Sequence, residues 1–123
     1  MPAVATCMSA RLPKHLDDAA HAAALALKFL AGRSLDDYRA DEMLRSAVER
    51  QVEIVGEACR RALDESPPLR DRMPEFRLAL AMRNRIAHGY DTVDDGIVYL
   101  TVTEHYPALV QALARELVSF ARD

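Results

Sequence analysis

Between positions 83 and 90 the sequence reads Arg83-Asn84-Arg85-Ile86-Ala87-His88-Gly89-Tyr90, with two guanidiniums, an amide, an imidazole and a phenol in eight residues. Guanidinium forks match phosphate and carboxylate oxygens. An imidazole titrates near neutrality and can give or take a proton there. Together Arg83, Asn84 and His88 could bind an anion and move a proton. A plainer reading stays open, because Arg and His at a helix C-terminus also complement the macrodipole. In a regular helix Asn84 and His88 project about 40° apart, one turn along the same face, whereas Arg83 and His88 lie about 140° apart. For those two to meet within one chain, the arginine must wrap or the last turn must unwind at Gly89.

The elements that would carry this octapeptide are helical. Pro74 suits a first helical turn, so the spacing predicts a helix from Glu75 to about His88, stopped by Gly89. A longer helix is predicted from Asp41 to about Leu63, with Leu44, Ala47, Val48, Val52, Val55, Cys59 and Ala62 as its inner face. Gly56 in its middle costs about 1 kcal/mol against alanine, which implies a close backbone crossing. Its outer Glu49, Glu53 and Glu57 read as a solvated face. Before it, Leu16, Ala19, Ala20, Ala23, Ala24, Leu27 and Leu30 form an alanine-rich stripe that ends at Gly32, and Ser34 with Asp37 forms a capping box. The Pro67-Pro68 segment is a connection, and Asp91 to Gly96 a turn. Ile97 to Thr103 is β-branched, but a lone strand has no partner, so a short helix is expected. Pro107 opens a last helix striped by Tyr106, Leu109, Val110, Leu113, Leu117 and Phe120. The expected fold is an all-α bundle of four main helices plus short helical pieces, forming one domain over residues 1–123.

Composition narrows the classes of function. The 123 residues are 50% apolar with four glycines and two cysteines, which excludes a disordered, collagenous or disulfide-stapled chain. No run is long enough for a membrane span and no secretory signal is legible, so a cytoplasmic protein with reduced Cys7 and Cys59 is expected. The net charge of −3 is no general invitation to nucleic acid. Even so, the stretch from Arg60 to Ile86 is +3 and the remainder −6. His15, His21, His88 and His105 are widely spaced without a C-x-x-C or H-E-x-x-H pattern, so no metal or cofactor is expected. Asp17 and His21 read as a helical ion pair at i,i+4, and Cys59 as a small core hydrophobe.

Arg83, His88 and Tyr90 match the R-x4-H-x-Y motif, and the sequence resembles the HepT-like toxins of the HEPN superfamily. The likeness extends through Ala47-Val-Glu-Arg-Gln-Val-Glu-Ile-Val-Gly-Glu-Ala58 and on through the final helix, from about His15 onward. Two departures are Tyr99, where a tryptophan is expected, and a longer Pro67-Pro68 connection. The resemblance implies a HEPN-type up-and-down bundle and the toxin of a type VII toxin–antitoxin system. The implied activity is metal-independent endoribonuclease, with Arg83, His88 and Asn84 catalytic. Attack by the RNA's own 2′-OH needs a base, an acid for the 5′-oxygen and positive charge on the phosphorane. One chain offers one suitable histidine. A homodimer with both motifs in one cleft offers two, with Arg83 and Arg85 from each side. Arg85 serves equally as an RNA contact or in an ion pair. The resemblance further implies that Tyr90 accepts AMP from a cognate MNT-type nucleotidyltransferase antitoxin, although a tyrosine packed at a helix exit is an alternative. The contrasting class is a non-enzymatic HEPN subunit that binds nucleotide or escorts such a transferase.

Overall fold

Local chemistry sets the boundaries between the first three helices. In the computed structural model, which describes residues 2–88 and 94–121 with side chains from 11 to 86 and from 94 to 121, α1 (Pro2–Leu30) stops before Gly32, whose φ of +75° is left-handed. The expected capping box follows: Ser34 Oγ accepts from the Asp37 amide and Asp37 accepts from the Ser34 amide, both at 3.0 Å, opening α2 (Leu35–Ala40). Asp41 closes α2 and caps α3 (Glu42–Glu65) by accepting from the Leu44 amide at 3.0 Å. Caps of this kind contribute about 1 kcal/mol each.

The proline-rich connection contains more structure than the sequence suggested. A single turn, α4 (Leu69–Arg72), buries Leu69, and Met73 is buried just after it. Helix α5 (Glu75–His88) has the bounds its sequence predicted. The β-branched run is helical, as expected, forming α6 (Asp95–Leu100) and then a π-helical turn, Thr101–His105, that leads into α7 (Tyr106–Ala121). The expected turn therefore ends earlier than Gly96. Asp94 caps α6 by accepting from the amides of Gly96 and Ile97, which places Asp95 and Gly96 inside the helix. Asp91 to Val93 lie outside the described residues. Pro107 lacks an N–H and its ring crowds the preceding turn, which accounts for the widened turn before it. Thr101 and Thr103 hydroxyls donate to the carbonyls of Ile97 and Tyr99 there.

The four main helices close into a ring: α1 packs on α3 and α7, α3 packs on α5, and α5 meets α7. No strand occurs among the described residues, and the architecture is the expected all-α bundle of four main helices plus short helical pieces. Leu16, Val48, Val52, Val55, Phe76, Leu109 and Leu113 fill the centre. Among them lies Cys59, a free thiol that burial pushes up to about 12, which suits a core residue rather than a nucleophile. The α1 stripe is corrected at its middle. Ala22 and Ala26 are buried, whereas Ala24 is exposed and Ala20 and Leu27 are half-buried. A run of alanines gives little amphipathic contrast, so periodicity could not fix which of them faced inward. No described helix is long and apolar enough to cross a membrane.

Candidate active site on α5

Helix α5 buries Phe76, Ala79 and Met82, and that register turns Arg83 toward α3. The two helices cross at Gly56, as its mid-helix position implied. A Cβ added there would lie 2.2 Å from Arg83 Cβ, 2.9 Å from its Cγ and 3.0 Å from the Ala79 carbonyl oxygen. No other residue permits this approach, so Gly56 makes the seat into which the base of the Arg83 side chain fits.

The residue after this glycine receives the guanidinium. Glu57 Oε1 lies 3.1 Å from Arg83 Nη2, while its Oε2 takes Arg60 at 2.9 Å and Arg61 at 3.0 Å. The Arg83 and Glu57 side chains are 31% and 28% exposed, so the pair is partly shielded from water. Arg83 Nη1 also donates to Asn84 Oδ1 at 3.4 Å. The hydrogen bond from Arg60 is the largest cause holding the Glu57 carboxyl below its ordinary range, and Arg61 and Arg83 add to it. Arg60 also pairs with Asp64 at 3.2 Å, so Glu57 is shared by three guanidiniums of which Arg61 and Arg83 have no second carboxylate among the described residues.

Of the expected site residues, the structure brings Arg83 and Asn84 together. Arg85 is exposed and has no ion-pair partner among the described residues. His88 ends α5 with its backbone still α-helical, so the last turn does not unwind before it. Helical register then sets it about 140° around and about 7.5 Å along the axis from Arg83. Its side chain, and Tyr90 altogether, lie outside the described residues.

Two surface readings are corrected. The Glu49, Glu53 and Glu57 face is half-buried rather than solvated, and burial, helped by Asp95, raises the Glu49 carboxyl above its ordinary range. Asp17 and His21 form no pair among the described residues; the helical ion pair on that face is Lys14–Asp18 at 3.3 Å. Glu57 is the functional candidate that sequence reasoning passed over. Its i+3 and i+4 arginines were visible signals, but its contact with Arg83 spans two helices. Among the described residues no group of three or more His, Cys, Asp or Glu side chains could hold a metal.

Over residues 19–116 the sequence matches the family described as Ribonuclease HepT-like. The chain belongs to the HepT-like family. A probable ribonuclease HepT from Thermococcus cleftensis is 32% identical over 95 residues, covering 77% of this chain and 86% of that protein. A shorter likeness, 35% over 51 residues, joins 40% of this chain to 35% of an anti-sigma F factor from Priestia megaterium. No solved structure matches. The HepT-like span contains both α3 and α5, and hence the whole Gly56, Glu57, Arg83 and Asn84 arrangement.

Proposed function

We propose that this HepT-like chain is a toxin that cleaves RNA without a metal ion, in a cleft shared by two copies. The observation that carries the reading is the Arg83 guanidinium, seated by Gly56 and held by Glu57, on the helix that ends at His88. Arg83 clamps the scissile phosphate and stabilises the phosphorane, and Asn84 orients the phosphate or the imidazole. His88 removes the 2′-hydroxyl proton, and the 5′-oxygen leaves protonated, giving a 2′,3′-cyclic phosphate and a 5′-hydroxyl end. The separation of Arg83 from His88 along a regular helix favours a composite site, in which the imidazole of one copy serves beside the motif of the other. A homodimer also supplies the second imidazole as acid and places Arg85 of each copy where it can reach RNA.

Control of the activity belongs to Tyr90. In our reading a cognate MNT-type nucleotidyltransferase transfers AMP from ATP to its phenol with release of pyrophosphate, and the attached phosphodiester occupies the anion site intended for RNA. The toxin and this antitoxin then form a type VII pair acting in the cytoplasm.

The test uses purified chain, RNA and a chelator. Wild type should cut and leave cyclic phosphate ends, while His88→Ala keeps the fold, loses cleavage and no longer arrests growth. Uncut RNA, together with a His88→Ala chain as toxic as wild type, would make this a non-enzymatic partner of the transferase instead. Intact mass after co-expression with the transferase should show added AMP, and a Tyr90→Phe chain should show none.

A further inference from the structure

Beside Arg83, a furrow of about 450 Å³ runs between the outer edges of α1 and α3. That volume falls within the range of small-ligand sites. The furrow exists because Ala22 and Ala58 face it, both nearly fully buried, where larger side chains would fill the space. Together with Ile54 they make an apolar floor. Polar edges flank that floor: His15 and His21 on α1, and the Gln51 amide on α3. Arg83 closes one border, and Arg50, which has no ion-pair partner among the described residues, also lines it.

We propose that this furrow is a nucleoside subsite, receiving the RNA residue next to the phosphodiester held by Arg83; the proposal rests on the ribonuclease reading above. A base has two apolar faces and a rim of donors and acceptors. Single-stranded RNA is recognised by contact with those faces and hydrogen bonds to that rim. The floor of Ala22, Ile54 and Ala58 meets a face. Gln51 presents both a donor and an acceptor to the rim, and His21, which is exposed, adds a second polar group.

The charges select a nucleoside over a bare anion. Three carboxylates line the furrow, Asp18, Glu53 and Glu57. Asp18 is paired to Lys14 and Glu57 to its three arginines, whereas Glu53 has no ion-pair partner among the described residues. Glu53 repels a free phosphate inside the furrow but accepts hydrogen bonds from ribose hydroxyls or base amino groups. Phosphates are thereby directed to Arg83 and Arg50, and the uncharged part of the nucleotide to the furrow between them.

Binding is tested without cleavage. The full chain is titrated with each of the four 5′-mononucleotides and, separately, with inorganic phosphate, while the imidazole signals of His15 and His21 are followed by NMR. At least one nucleotide should shift them saturably and phosphate should not. Equal shifts from phosphate, or no shift from any nucleotide, overturn the subsite. Cleavage is then measured on short single-stranded RNAs that differ in the base beside the cut. Ala58→Leu, which fills the floor, should raise KM by about tenfold and flatten the preference for that base. Gln51→Ala, which keeps the floor, should flatten it as well. Wild-type KM and preference in a folded Ala58→Leu chain and in Gln51→Ala overturn the proposal. RNA left uncut by the wild-type chain overturns the ribonuclease reading alone, since the titration still reports whether the furrow takes a nucleoside.

Discussion

Helix α3 meets two neighbours through small residues, with different results. Toward α1 the close approach is apolar: α1 buries Ala19, Ala22, Ala23 and Ala26, and the contact serves the core. Toward α5 the close approach is at Gly56, and it brings a carboxylate and a guanidinium within 3.1 Å at a half-exposed edge. Small side chains shorten the distance between helices, but the residue beside the small one decides what the proximity achieves. Next to Gly56 stands Glu57, and the crossing becomes a mount for Arg83. The α1 contact stabilises the bundle, whereas the α5 contact positions a cation.

Substitutions can separate those roles. The largest loss of stability is expected on the apolar side, where Leu16→Ala removes a fully buried side chain at a cost of about 3 kcal/mol. Urea denaturation should show that loss, while the folded fraction cleaves RNA as wild type does. A loss of cleavage by the folded protein would erase the distinction between the two contacts. Gly56→Ala comes next. Its methyl overlaps Arg83 Cβ, so the helices must part, costing about 2 kcal/mol. Here cleavage should fall beyond what unfolding explains, because Arg83 moves with α5.

Glu57→Gln should change stability by only about 0.5 kcal/mol, as expected of partly exposed ion pairs. Its larger effect is on cleavage, which should weaken because Arg83 loses its anchor, and Glu57→Asp should restore part of it. The pH dependence has a definite sign. The carboxyl of Glu57 lies below its ordinary 4.5 in the folded chain, so its stabilisation is complete above 4.5. It disappears as pH falls through the folded value, and the thermal midpoints of Glu57→Gln and wild type should converge there.

The smallest effect has the opposite direction. Glu49 is raised by burial and by Asp95, so its ionised form opposes folding above the ordinary 4.5. Glu49→Gln should therefore stabilise the chain at neutral pH by about 0.5 kcal/mol. That gain should vanish in acid, where wild-type Glu49 is protonated in both states. A stability loss in Glu49→Gln at pH 7 would count against the burial argument.

Much of the helical scaffold was legible because its causes are local. Pro74 and the bounds of α5, the Ser34–Asp37 capping box and the stop at Gly32 each depend on residues within a few positions, and Gly56 marked a crossing without showing which helix would meet it. The candidate site was legible in part. Arg83 and Asn84 stood out by type and spacing, whereas Glu57 looked like one member of a solvated ladder. The π-helical turn and α4 were missed because each depends on how neighbouring packing accommodates prolines that the sequence shows only as interruptions.

Residue order alone, then, determined where the main helices run and which octapeptide could handle a phosphodiester, since caps, periodicity and side-chain chemistry act over one or two turns. Only the packed bundle decided that Glu57 holds Arg83, which alanines face inward, and that a furrow opens between α1 and α3. Those outcomes depend on distances between helices, and such distances arise from burying all the apolar faces together, a condition that no single segment contains.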